Sequence, residues 1–225
     1  MRGLVIDTAL GGLSVALFEH GTILAARHEL MARGHQERLG ELVRDVAAEA
    51  GGFDGLGRIT VTVGPGSFTG LRVGLAFALG LGAALDRPVL GITTLAALAG
   101  SVDSPGDASA GLPVLAAIDA RRGEVYAQAF AGGRPSGAPE ALTLEAALDL
   151  ARTLGPAALV GSGAPLLAGA CPAAAIQALA APAPAGLVAA ARRADQPARP
   201  LYLRAPDATP PSRLPGQPRP TREPS

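Results

Sequence analysis

The chain contains no lysine, no asparagine and no tryptophan, and its only cysteine is Cys171. Without lysine, no chemistry here rests on an ammonium group. The nucleotide loop Gly-x4-Gly-Lys-Ser/Thr, whose lysine reaches the terminal phosphates, is excluded. With one cysteine, no internal disulfide can form, which fits a reducing compartment. Aromatic residues make up 3% of the chain, and the formal net charge is zero. Such a composition exerts little pull on a polyanion and offers few rings for stacking bases, which argues against a free-standing nucleic-acid module. The histidines His20, His28 and His35 never fall four residues apart, so they form no helical metal pair, and a metal site is not expected. The opening "MRGLVIDTAL" lacks the basic start, apolar core and cleavage site of a signal peptide. The longest apolar run, 73–85, is bracketed by Arg72 and Asp86 and falls short of the ~20 residues of a spanning helix. The expectation is a cytoplasmic protein without a membrane segment.

What is present is apolar and small. The 225 residues are 48% hydrophobic, enough for one large or two small cores. "GLVIDTA" (3–9) and "LSVALFE" (13–19) read as two strands around Gly11-Gly12, and "TILAARHEL" (22–30) as a third. "HQERLGELVRDVAAEAG" (35–51) places Leu39, Leu42, Val43, Val46, Ala47 and Ala50 on one helical face. "RITVTVG" (58–64) is a buried parallel strand by its β-branched run. A helix over 71–85, a strand at 87–93 and a short helix at 94–100 follow. Residues 101–113 are turn-rich and mark a boundary. Beyond them lie a hairpin (114–120 and 124–130), a helix (142–155), a strand running into glycines (157–165), a last helix (185–195) and an extended segment (200–207).

The two halves repeat an order of features. "VIDTALGGLSVALF" and "AIDARRGEVYAQAF" share a strand ending in Ile-Asp, a turn and a second strand. "TVGPGSF" and "LVGSGAP" share a strand followed by a Gly-x-Gly turn. Two matched pairs in one order point to a duplicated domain. The fold class expected is α/β, with duplicated actin-like and sugar-kinase-like domains of mixed sheets flanked by helices. The domains are placed at 1–104 and 105–205, followed by a disordered proline-rich tail at 206–225.

The glycine turn "GPGSFTG" is the strongest local signal. It is not a nucleophile elbow, because Pro65 and Thr69 stand where Gly-x-Ser-x-Gly needs glycines around Ser67. Gly64 and Gly66 supply a tight turn, and Ser67 or Thr69 can cap the helix that follows. Amides at that helix start could also hold an anion. Asp7 and Asp119 end equivalent strands, so Asp7, Gly64, Gly66, Ser67 and Asp119 form a candidate anion or nucleotide cleft. The competing reading is structural, since strand-end aspartates also cap turns.

The helix itself must be covered all round. Gly70, Gly74, Ala78 and Gly82 form a smooth stripe that lets another backbone approach, and Leu75, Phe77, Leu79 and Leu81 lie opposite. A sheet covers one side; a second polypeptide, or the other domain of the same chain, covers the other. Helix 35–50 could add a second wall. The candidate partner interface is Leu39, Leu42, Val43, Val46, Arg72, Val73, Gly74, Phe77, Ala78 and Leu81. No catalytic residue is assigned. Cys171 reads as filler, and the polar cluster Asp119, Arg121, Arg122, Glu124 and Tyr126 as a half-exposed hairpin.

"GPGSFTGLRVG" (64–74), "AAIDARRGEVYAQAF" (116–130), "GHQERLGELV" (34–43), "IDTALGGLSVAL" (6–17) and "PLYLR" (200–204) together resemble the TsaB (YeaZ) family, in its order and over about 5–204. The resemblance implies an actin-like fold and a role in making threonylcarbamoyladenosine beside the anticodon of tRNAs that read codons starting with A. It implies a non-catalytic subunit that pairs with a TsaD-like catalytic subunit and is joined by a TsaE-like ATPase. It implies a homodimer when the chain is alone and contact with tRNA only through the complex. It implies no cofactor, with weak nucleotide binding left open where Ala9 replaces the glycine of actin-like ATPases. The alternative is a glycoprotease-like or actin-like ATP-dependent enzyme in its own right.

Overall fold

The computed structural model describes residues 1–31, 33–102 and 113–204. The expected tail at 206–225 and most of the turn-rich boundary lie outside the described residues. The chain starts with three strands, β1 (Arg2–Asp7), β2 (Gly12–Glu19) and β3 (Thr22–Leu30). They are followed by α1 (His35–Glu49), β4 (Leu56–Gly64), α2 (Phe68–Leu85), β5 (Val89–Thr93) and α3 (Thr94–Ala99). Next come β6 (Val114–Arg121), β7 (Glu124–Ala131), β8 (Arg134–Pro135), β9 (Glu140–Thr143) and α4 (Leu144–Leu154). The remainder is β10 (Ala158–Val160), α5 (Ala164–Leu167), β11 (Ala175–Gln177), α6 (Pro184–Ala191) and β12 (Gln196–Pro197).

The strands form two sheets, in the orders β12-β5-β4-β1-β2-β3 and β11-β10-β6-β7-β8, with β9 also pairing β7. In the first, β1 is antiparallel to β2 and parallel to β4, which is parallel to β5. In the second, β6 is antiparallel to β7 and parallel to β10, which is parallel to β11. The same hairpin-plus-parallel-pair plan thus occurs twice, as the paired sequence features predict.

The first sheet is covered on both faces. Period-2 alternation splits β1 between them. Leu4 and Ile6 join Leu39, Leu42, Val46, Leu75 and Ala78 in the core under α1 and α2. Val5 joins Ala97, Leu187 and Val188 in the core under α3 and α6. Burial on two faces explains the near-continuous apolar run of β1. The second sheet packs Leu115, Val125 and Leu159 on Ala147 and Ala151 of α4 and Leu167 of α5. Between the sheets, Leu95 and Leu98 of α3 meet Ile118, Phe130 and Val160, so α3 is apolar toward both.

Two expectations need correction. A second unit spanning 105–205 does not hold at its end: α6 packs against α3 and the first sheet, and β12 extends that sheet along β5. The physical reason is the apolar surface of α6, where Leu187 and Val188 fill the space above Val5 and Phe18. The strand over 157–165 is also shorter, ending at Val160. Gly161 turns the chain at φ +104, and α5 begins at Ala164.

Helix α2 is long and apolar enough to cross a membrane by length and composition alone. Its inner face, however, is docked on protein. Gly70, Leu71, Gly74, Leu75, Ala78 and Gly82 are buried along it.

Candidate functional site

Helix α2 starts at Phe68, three residues before the expected 71, and of the two candidate caps Ser67 takes the role. Ser67 is extended, and its Oγ accepts from the Gly70 amide at 3.3 Å. The glycines before and after it let the β1–β2 turn press onto the helix. A Cβ on Gly66 would come within 3.0 Å of the Ala9 carbonyl oxygen, and one on Gly70 equally close to that of Thr8. One on Gly74 would overlap Thr8 Oγ1. Thr8 Oγ1 donates to the Gly70 carbonyl at 2.7 Å, and the Ser67 amide donates to the Ala9 carbonyl at 2.7 Å. At Gly64, φ is +118 and a Cβ would lie 2.5 Å from the Leu201 carbonyl oxygen. The backbone that the small-residue stripe admits is therefore the chain's own.

Of the anion or nucleotide cleft expected from Asp7, Gly64, Gly66, Ser67 and Asp119, the glycine turn already faces the chain's own backbone. The approach to Gly64 is taken by Leu201, the approach to Gly66 by Ala9, and the Ser67 amide is spent. Asp7 is wholly buried. Its Oδ1 accepts from Thr62 Oγ1 at 2.6 Å and from the Ala9 amide at 3.1 Å, while Oδ2 has no partner. Burial pushes its carboxyl above the usual carboxylate range, against the opposing pull of Thr62, the Ala9 amide, His28 and His35. Asp119 accepts from the Arg121 amide at 2.8 Å and so caps its own turn. Cys171 is buried, with its thiol donating to the Ala151 carbonyl. Among the described residues, no three His, Cys, Asp or Glu side chains gather in a group able to hold a metal.

The candidate partner interface divides in two. Leu39, Leu42, Val43, Val46, Gly74 and Ala78 are buried in the first core, so they hold the helices to the sheet and offer nothing to a partner. Helical periodicity marks the apolar face, and here that face belongs to the chain's own sheet. Arg72 is exposed, while Val73, Phe77 and Leu81 are half-buried and reach the surface. Two exposed apolar residues extend that surface, Phe68 (51% exposed) and Leu79 (49%). Ala76, Gly80, Ala83 and Ala84 are exposed around them, so the outer face of α2 is apolar along its length. Phe77 also faces α1, where a Cβ on Gly40 would lie 3.8 Å from its ring. The outside of α1 carries Gln36, Glu37, Glu41, Arg44 and Asp45. Arg38 pairs with Glu29 at 2.7 Å and with Glu41, and this pairing holds the Glu29 carboxyl below its usual range.

The segment after β12 is the one the sequence reads as extended, and its contacts are not local. Leu201 donates its amide to the Val63 carbonyl at 2.7 Å. The Tyr202 ring lies 5.4 Å from Phe68, and the Arg72 guanidinium sits 3.8 Å over the Phe68 ring. Arg72 Nε donates to Tyr202 Oη at 3.5 Å. Arg204 then reaches the β6–β7 turn, donating to Glu124 at 2.8 Å and to the Ala120 carbonyl at 3.1 Å. The segment thus ties the start of α2 to the second sheet. Its signal in the sequence was an aromatic pair, Phe68 and Tyr202, in a chain with 3% aromatics, at positions that only the fold brings together.

Comparison with known proteins places the chain in a family. The family described as "TsaD: tRNA N6-adenosine threonylcarbamoyltransferase" matches residues 27–160. The chain is 41% identical over 127 residues to the tRNA threonylcarbamoyladenosine biosynthesis protein TsaB of Escherichia coli (strain K12). That match covers 56% of this chain and about half, 53%, of the relative's length. The solved structure of YeaZ from Pseudomonas aeruginosa superposes with a TM-score of 0.69 at 29% identity, covering 90% of this chain and 99% of that one. A ROK hexokinase from Thermus thermophilus shares the fold alone, with a TM-score of 0.54 at 17% identity over 86% of this chain and 98% of the other.

Proposed function

The chain belongs to the TsaB (YeaZ) family, and from that premise we propose that it is a non-catalytic subunit in the threonylcarbamoylation of tRNA. It acts on the adenosine beside the anticodon in tRNAs reading codons that start with A. It does so by pairing with a TsaD-like catalytic subunit, with a TsaE-like ATPase joining them, in the cytoplasm. Alone it forms a homodimer, and it meets tRNA only through the assembly. In this reading it needs no cofactor of its own.

The observation that carries this reading is the outer face of α2. It presents Phe68, Leu79 and the exposed parts of Val73, Phe77 and Leu81 to solvent, on a helix whose other face is already docked. Contiguous apolar surface on a folded chain is characteristic of association. Aromatic and arginine side chains, here Phe68, Arg72 and Tyr202, are the usual anchors at such contacts. The alternative of an ATP-dependent enzyme asks for space at Asp7 and Gly64–Ser67 that Thr8, Ala9 and Leu201 occupy.

The test is co-purification with the TsaD-like subunit, followed by a tRNA modification assay with and without this chain. Leu79→Glu places a charge on the exposed face while leaving the core alone. It is expected to fold normally, lose the partner on size-exclusion chromatography and fail to support modification. Wild-type affinity in that variant overturns the surface, and modification at full rate without this chain overturns the subunit role.

A further inference from the structure

A groove of about 940 Å³ opens between the two sheets, and none of Asp7, Gly64, Gly66, Ser67 or Asp119 lines it. One wall is the end of β5 with α3; the other is β7 with the β7–β8 turn. The end of α6 and the 195–201 segment complete the rim. The volume suits a ligand of nucleotide size.

Its lining has three chemical parts. Ile92, Ala96 and Phe130 give an apolar floor. Arg134, Arg193 and Arg199 stand at the rim against a single carboxylate, Asp195, whose Oδ1 already accepts from Gln196 Nε2 at 3.1 Å. Among the described residues, none of the three arginines pairs with a carboxylate. In a chain of zero net charge, this is a local excess of cation. The third part is Gln128, which is 4% exposed. Its Nε2 donates to the Gly137 carbonyl at 2.9 Å, and its Oε1 accepts nothing. A buried acceptor without a donor is rare in folded proteins and is satisfied when a ligand N–H or O–H arrives.

We infer that this groove binds a nucleoside monophosphate, with its phosphate on the three arginines, its base over Phe130 and Ile92, and a donor of the ligand on Gln128 Oε1. Guanidinium forks match phosphate oxygens in geometry and charge. The apolar floor matches a flat base. The site differs in place from the closed turn around Asp7, and it stands whether or not the subunit reading does.

The test uses the full chain with AMP, adenosine and inorganic phosphate, by calorimetry and by amide NMR titration. AMP is expected to bind saturably at one site, about tenfold or more tighter than adenosine or phosphate, because only AMP engages floor and rim together. The Gly91, Gly100 and Gly133 amides shift with AMP. Replacing Arg193→Ala and Arg199→Ala together, both exposed and outside either core, weakens AMP about tenfold or more without lowering the thermal midpoint. Absence of saturable AMP binding, an unchanged affinity in the double variant, or shifts confined to residues 7–11 and 64–67 would each overturn the inference.

Discussion

Alanine at Gly70 and alanine at Gly80 are the same substitution in the same helix, yet they should move stability in opposite directions. In both, replacing glycine removes backbone freedom from the unfolded chain and favours the helix by about 1 kcal/mol. At Gly80 nothing lies within 4 Å of the added Cβ, so that gain is realised. At Gly70 the Cβ would fall within 3.0 Å of the Thr8 carbonyl oxygen and 3.3 Å from its carbon. Both are backbone atoms at the end of a buried strand and cannot rotate away. Helix or turn must shift, at the roughly 1–3 kcal/mol of an overpacked core. The shift also strains the bond from Thr8 Oγ1 to the Gly70 carbonyl, worth about 1 kcal/mol net. Gly70→Ala should therefore lose about 1–3 kcal/mol, and Gly80→Ala should gain about 1 kcal/mol. For a chain of this size, about 2–4 °C in Tm accompanies each kcal/mol. Urea unfolding and thermal melts of the two variants side by side give the answer. If Gly70→Ala proved as stable as Gly80→Ala, the glycine face would not be the packed face. The assignment of the outer face to a partner would fall with it.

The remaining predictions use other parts of the molecule. Asp7 has a raised carboxyl pKa in the fold, so its contribution is present below the unfolded value near 4 and is lost as pH rises through the folded one. Asp7→Asn removes that dependence: wild-type stability should fall relative to the variant from about pH 4 upward, and parallel stability–pH curves would refute the buried charge. Arg204→Ala breaks the contacts with Glu124 and Ala120. With the pair partly exposed, at 26% and 39% for the two side chains, the loss should stay near 1 kcal/mol. Hydrogen exchange should nonetheless rise in the β6–β7 turn and at Leu201, and unchanged exchange at both would show that the segment ties nothing. Leu79→Glu should leave the melting temperature within about 2 °C of wild type, since its site is 49% exposed, while removing the partner from a pull-down.

Much of the fold was legible because it is written in local patterns. The duplicated strand–turn–strand units follow from the matched Ile-Asp pairs, although Asp7 ends β1 and Asp119 falls two residues before the end of β6, and the structure gives both sheets the same pairing plan. The cap at Ser67 and the helix after it follow from one short motif. What was not legible depends on which distant element fills a given space. The stripe Gly70, Gly74, Ala78 and Gly82 correctly signals a close backbone, but periodicity does not say whose. At Gly70 and Gly74 it is Thr8, some sixty residues upstream, and at Gly82 it is Arg87, just past the helix's own end. The same blindness put Leu39, Leu42, Val43 and Val46 on a partner surface, because an apolar helical face looks alike whether sheet or stranger covers it.

The return of α6 and β12 to the first sheet has a consequence for the two lobes. Once the chain has built the second sheet and crossed back, Leu201 and Tyr202 lie on Val63 and Phe68, while Arg204 reaches Glu124. The start of α2 is therefore joined to the β6–β7 turn through the short segment that carries Leu201, Tyr202 and Arg204. A partner that packs on Phe68 and Arg72 also meets Tyr202, two residues before Arg204. The surface proposed for association and the contact with the β6–β7 turn thus lie on one short segment of chain. That is why the exchange rate at the β6–β7 turn, measured with and without a partner bound, reads more than the contact itself.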